Sequence, residues 1–289
     1  MMLRKKPTFY FGGIDFYGIS PRVIKLPRDM PTPGGRITLA YIKRLKQLLK
    51  RQIQSYRHRA VRGPLFLDGN SAYLIVEVTD KDYTHLFEHQ QQKGKSVMLD
   101  RTNRIWYAKW KNALNELWRQ NKLYPTRPYE RNARRLMKVE AEIREALVKD
   151  AFLMANIKAV LSHGKMRDLS IVAMLCHWTP KTDKEIAGRL ASLVLHPNQS
   201  VRNNASRSLL VNYPDRLPEI DIKKFLKQIQ LPFHTDRNKA LYILTQYSYL
   251  PRYKKILRRY KRYFKEWSMK TMQNIAQPAM DILKNIRVV

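Results

Sequence analysis

The chain is 289 residues long and carries 56 Lys+Arg against 23 Asp+Glu, a formal charge of +33 at pH 7. That length holds one large domain or two modest ones with their own core, and 44% apolar with 10% aromatic residues excludes a disordered or fibrous chain. The single cysteine, Cys176, excludes a disulfide framework and any multi-cysteine zinc or iron–sulfur site.

Apolar runs stay short of the roughly 18–20 residues that span a bilayer. The opening Arg4-Lys5-Lys6 leads into Phe9-Tyr10-Phe11-Gly12-Gly13 rather than the smooth apolar core of a signal peptide. No transmembrane segment is expected, and a cytoplasmic location is favoured.

Residues 1–35 are punctuated by Gly12-Gly13, Pro21, Pro27, Pro31, Pro33 and Gly34-Gly35, so they read mostly as turn and loop. From 36 to about 61 the pattern turns helical: Ile42, Leu45, Leu49, Ile53, Tyr56 and Ala60 fall at three-to-four spacing. Arg36, Lys43, Lys50 and Arg57 recur every seven residues along this segment, and no acidic residue interrupts it. Its apolar side is expected to pack on the body. Its basic side is open to an anionic partner.

The β-branched run 71–78, bounded by Asp68-Gly69-Asn70, reads as a strand, with 64–67 and 97–99 as further short strands. Residues 80–92 have helix character. A helix over 103–121 places Trp106, Trp110, Leu114, Leu117 and Trp118 along one side, which is core spacing rather than a base-stacking platform. Another helix runs from Pro128 to about Asp150.

Beyond 150 the sequence is periodic. Arg167, Arg202 and Arg237 stand 35 residues apart, each at the start of a helical stretch. Each stretch follows another amphipathic segment (152–161, 186–195, 222–229) and a turn. A fourth unit, without the arginine, runs from 252–267 into 269–286. Two helices per unit at this period is the signature of a helical solenoid.

In these features the segment from about 150 to 287 resembles the HEAT-repeat family: the helix–turn–helix unit, Pro197 and Pro232 before the second helix, and the arginine near its start. The resemblance implies that Arg167, Arg202 and Arg237 form a structural ladder between stacked repeats, with Asn203, Asn204 and Asn238 bonding backbone at the turns. It also implies a binding surface rather than a reaction. The fold expected is mainly α: a HEAT-like solenoid (about 150–287) preceded by an irregular α+β region, in segments 1–35, 36–149 and 150–289.

Charge concentrates at the ends: residues 1–62 hold 15 basic and 2 acidic groups, and 250–289 hold 11 and 2. In 252–267, Tyr253, Ile256, Leu257, Tyr260, Tyr263, Phe264 and Trp267 make an apolar face. Arg252, Lys255, Arg258, Arg259 and Arg262 are among the eight cations opposite. Such faces engage a polyanion, nucleic acid being the commonest, or an acidic protein surface.

Two catalytic alternatives are legible. His85-Leu86-Phe87-Glu88-His89 resembles the inverted zinc-peptidase motif, in which His85 and His89 would bind metal beside Glu88; the third ligand is a glutamate further downstream, for which Glu140, Glu142 and Glu145 are the nearest candidates. An AlkD-like, HEAT-based DNA glycosylase would recruit Asp236, Trp178 and Trp267; Asp236 reads equally as a helix N-cap. The principal expectation is a non-catalytic scaffold or adaptor without cofactor, and the sequence leaves its oligomeric state open.

Overall fold

The structure, a computed structural model, describes residues 9–66, 71–87, 96–123 and 129–287. In β1 (Phe9–Tyr17) the apolar alternation changes parity at Gly12-Gly13, so that Phe9 and Phe11 share one side of the sheet with Ile14 and Phe16. A register shift between Phe11 and Gly13 accounts for this. Gly13, at φ +136°, takes a conformation that L side chains rarely adopt. The bulge turns Asp15 and Tyr17 to the opposite side. The expectation of turn and loop is therefore corrected for residues 9–17, where the two glycines punctuate a strand instead of ending one, and it holds from 18 to 35 apart from a short 3-10 turn at Pro21–Val23.

After β2 (Arg36–Ile37), Thr38 caps α1 (Leu39–Gln52) by accepting the Tyr41 N–H at 3.1 Å. Ile42, Leu45 and Leu49 are its buried stripe. The helix expected to reach residue 61 stops at Gln52. Residues beyond it form β3 (His58–Phe66), in register with β4 (Ser71–Thr79), Arg59 opposite Val78 and Val61 opposite Val76. Cross-strand pairing overrides the helical spacing of Tyr56 and Ala60.

The sheet order is β2-β1-β4-β3, with β1 and β4 parallel and both other pairs antiparallel. β4 is buried along nearly its whole length, the apolar pattern of an inner strand covered on both faces. Ala72, Leu74, Val76 and Val78 meet α1, whereas Tyr73, Ile75 and Glu77 face the helices that follow.

Val97 makes one isolated bridge, to Gly164, in place of a strand. A 3-10 turn at Thr84–Leu86 stands where a helix was expected, and residues 88–95 lie outside those described. α2 (Arg101–Leu123) packs on α3 (Tyr129–Lys149). Trp110 and Leu117 are buried, Trp106 is half-buried, and Trp118 is 58% exposed, off the core stripe that spacing assigned to it.

The remainder is helical: α4 (Ala151–His163), α5 (Met166–Leu175), α6 (Lys184–Leu193), α7 (Gln199–Asn212), α8 (Ile222–Gln228), α9 (His234–Ser248), α10 (Pro251–Arg258), α11 (Lys261–Ser268) and α12 (Gln273–Arg287). The single helix expected over 252–267 is two, because α10 packs against α9 while α11 lies along α12. The protein is thus mainly α with an N-terminal α+β region.

α5 packs on α7, α7 on α9, and α9 on α12. Asn204 donates to Ser170 O at 2.9 Å and Ser208 to Ala173 O at 2.6 Å. Asn238 donates to Asn274 O at 2.7 Å, and Asn285 to Ser248 Oγ at 2.8 Å. Each of these bonds joins residues 34–37 apart, which ties neighbouring helices at the sequence period. Arg202 bonds both Asp236 oxygens, at 2.9 and 2.8 Å, with the side chains 1% and 0% exposed. It also donates to His196 O and Pro197 O at 2.8 Å. Asp236 is therefore spent on Arg202, and Phe233 is the α9 cap residue, with no side-chain bond of its own.

The missing α9 cap comes from the sheet. Glu77 Oε1 accepts the His234 N–H at 2.7 Å. Asp15 does the same ahead of α12, accepting from Thr271 N and Oγ1 at 2.9 and 2.8 Å and from Met272 N at 3.1 Å. Both carboxylates are buried. Replacing Asp15 with Ala strands these donors, so urea denaturation of Asp15→Ala should show a loss of about 2–4 kcal/mol. Asp15→Asn, which keeps one acceptor oxygen, should lose less.

Candidate anion-binding cleft

Docking the sheet on the helix ends leaves a cleft of about 470 Å³ between β3 and the starts of α7 and α9. Arg57, His58, Arg59 and Arg62 line the sheet side; Gln199, Pro232 and Phe233 line the other. β3 is an edge strand, so its outer row of backbone groups borders the same space. Glu77 is the lone carboxylate among the lining residues. It is already bonded to Arg62 Nε at 2.5 Å and to the His234 N–H. Arg62 Nη2 reaches Gln199 Oε1 at 3.1 Å, and Gln199 Nε2 donates to Thr235 at 2.9 Å. Arg62 is thus fixed by two elements. Arg57 and Arg59 are exposed, and Arg59 donates to Tyr56 O at 2.6 Å.

Of the cations singled out by spacing, only Arg57 lines the cleft. Arg36 lies on β2 and Lys43 and Lys50 on α1, all exposed. Arg252, Lys255, Arg258, Arg259 and Arg262 are exposed on or beside α10 and α11. Arg252 donates to Pro218 O at 3.2 Å, and Arg258 to Ile286 O at 3.0 Å. Their register along the sequence does not bring them together with Arg57. Arg59 and Arg62, which complete the cleft, were hidden by reading their segment as helix. The available signal was Gly63-Pro64, which interrupts any helix there, since His58-Arg59-Ala60-Val61-Arg62 itself shows no clean apolar alternation.

The three arginines at period 35 differ. Arg202 makes the buried pair with Asp236. Arg237 is half-buried, donates to Leu231 O at 2.7 Å and lies over the Tyr17 and Trp267 rings at 5.2 and 5.5 Å. Arg167 is exposed, and the buried residue beside it is Asp168, which accepts from Arg104 at 2.9 Å.

His85 is exposed on its 3-10 turn, whereas Glu88 and His89 lie outside the described residues. No group of three His, Cys, Asp or Glu suited to a metal occurs among the described residues. Trp178 and Trp267, like Asp236, are buried, so none of the glycosylase candidates lines an open groove. Cys176 is also buried, and burial pushes its thiol up, away from the reactive thiolate. No helix among the described residues is long and apolar enough to cross a membrane.

The sequence matches no protein-family model and no curated relative.

Behind the cleft, His234 is enclosed with its ring edge-on to Tyr17 at 5.7 Å. Burial lowers its pKa to about 4 from the usual 6.5, against a smaller opposing effect of Asn274. The folded state keeps this imidazole neutral where the unfolded chain takes up a proton. Stability is therefore full above about pH 6.5 and falls as pH drops towards 4, by about 3 kcal/mol for this residue. Chemical denaturation across that range should show the decline, and His234→Phe, which retains the backbone donor to Glu77, should flatten it.

Proposed function

We propose that this protein is a non-catalytic, HEAT-like helical-repeat scaffold that binds nucleic acid through the Arg57–Arg59–Arg62 cleft and adjoining basic surface. The observation that carries this reading is the composition of the cleft: three arginines line it with one carboxylate, Glu77, already committed to Arg62 and to the α9 N–H, while Asp80 accepts the Arg57 N–H at 2.8 Å beside it. Arg57 and Arg59 keep their charge available to phosphates. The formal +33 supplies the long-range field that draws a polyanion in.

The repeat reading is supported by the side-chain bonds that recur at 34–37 residues between neighbouring helices and by the consecutive packing of α5, α7, α9 and α12. Phosphate contacts of this kind position a nucleic acid without reading its sequence. The basic face of α10 and α11 extends the same chemistry, since Lys255, Arg259 and Arg262 are exposed.

The test is fluorescence anisotropy with duplex and single-stranded DNA over a salt series, with heparin as the non-nucleic polyanion. Arg57→Glu/Arg59→Glu should weaken binding about 10–100-fold and reduce the salt slope by about 2, with unchanged helicity. Lys43→Glu/Lys50→Glu on α1 should weaken it less. Equal losses in the two variants, or equal affinity for heparin and DNA, would remove the cleft as the site and turn the search to acidic protein partners.

A further inference from the structure

A second concentration of positive charge lies away from the cleft, and no spacing in the sequence marks it. On α7 the open stripe runs through Ser200, Asn204, Arg207 and Val211, while Ser208 is buried against α5. On α9 the corresponding stripe runs through Thr235, Lys239, Tyr242 and Gln246. His177, just past the end of α5, and Arg144 on α3 complete the group: the Arg144 charge acts on the His177 ring, as do those of Arg207 and Lys239.

Two of these cations are not matched, whereas the exposed Arg144 lies close enough to Glu140 for its charge to act on that carboxylate. Arg207 and Lys239 are each half-buried, and neither forms an ion pair with a carboxylate among the described residues. Lys239 Nζ has a neutral partner, Asn238 Oδ1 at 3.0 Å. Burial and then the Arg207 charge lower the Lys239 pKa to about 8; burial alone lowers that of Arg207. His177 Nδ1 is enclosed without a hydrogen-bond partner among the described residues, and burial followed by Arg207 brings its pKa to about 4, so the ring stays neutral. Partly desolvated like charges with no counter-charge are a standing cost to the fold, unlike Arg202, which the same helices give a buried carboxylate.

We infer that the open face of α5, α7 and α9 is a binding site for a dianionic phosphate, inorganic phosphate or a phosphomonoester, held by Arg207 and Lys239 beside the neutral His177 ring. The match is one of charge: two cations beside a neutral ring balance the charge of about −2 that a phosphomonoester carries near neutral pH. A phosphodiester brings half of that. The guanidinium of Arg207 offers a planar pair of donors to phosphate oxygens, and Lys239 offers a compact charge. The site is independent of the cleft and of the nucleic-acid reading.

The experiment is thermal denaturation and calorimetric titration of the full chain with inorganic phosphate, at constant ionic strength made up with chloride. At about 10 mM phosphate the midpoint should rise by about 2 °C or more. Arg207→Met/Lys239→Met should abolish the rise and, without phosphate, melt no lower than the parent protein, because the unmatched charges are gone. Lys239→Gln should show the same pattern in reduced form. Arg57→Glu/Arg59→Glu should keep the full response, which separates this site from the cleft. A nucleoside monophosphate that reproduces the response assigns the site to monoesters, and one that is inert assigns it to free phosphate. No response of the parent protein would overturn the inference. So would a double variant that melts several degrees lower without ligand, or a dephosphorylated oligonucleotide that competes as well as phosphate.

Discussion

Two carboxylates on one face of a four-stranded sheet hold the molecule together. Asp15 on β1 and Glu77 on β4 accept the backbone N–H groups at the starts of α12 and α9. A helix start leaves four backbone donors without intrahelical partners and carries a partial positive charge. Elsewhere this chain solves the problem locally: Asp150, Asp183, Asn198 and Asp221 cap their own helices. For α9 the solution comes from a residue 157 positions earlier, and for α12 from one more than 250 earlier. The N-terminal region and the helical region therefore cannot separate without stranding buried donors on one side and buried charges on the other.

That constraint also explains the cleft. Glu77 must be buried to reach α9, and a buried carboxylate needs charge compensation. Arg62, reaching over from the neighbouring edge strand, provides it and is steadied by Gln199 at the start of α7. The edge strand is thereby held against two helix starts, with Arg57 and Arg59 at its open end. The basic lining follows from the docking of the sheet, so that one salt bridge serves stability and site geometry together.

Much of this arrangement was legible before any coordinates. The run 71–78 is a strand because its β-branched residues can be buried on both faces, and helices α4 to α9 fall within about three residues of where the apolar spacing puts them. What escaped has physical causes. Gly12-Gly13 reads as a turn until the parity of Phe9 and Phe11 is compared with that of Ile14 and Phe16. Residues 56–61 satisfy helical spacing through Tyr56 and Ala60 and show no strand alternation, and only pairing with β4 makes them a strand. Asp236 looks like a cap because it stands at a helix start, yet the partner that claims it, Arg202, is 34 residues away in sequence. Half of the candidate site went unseen for the same reason: Arg59 and Arg62 acquire meaning only once β3 lies on β4.

The three arginines spaced 35 residues apart take different physical roles. At Arg202 a full guanidinium–carboxylate pair forms, sealed from solvent and tied to two carbonyls of the preceding turn. At Arg237 the place of the carboxylate is taken by two aromatic faces, Tyr17 from the sheet and Trp267 from α11, an interaction that tolerates a cation without neutralising it. At Arg167 the side chain is solvated, and its neighbour Asp168 turns inward to meet Arg104. The chain thus neutralises one buried guanidinium with a carboxylate and shelters another between buried aromatic rings. In a protein of formal charge +33, cations held half-buried without carboxylates are stable only as long as packing elsewhere outweighs their repulsion. An anion that binds there strengthens the fold as it binds.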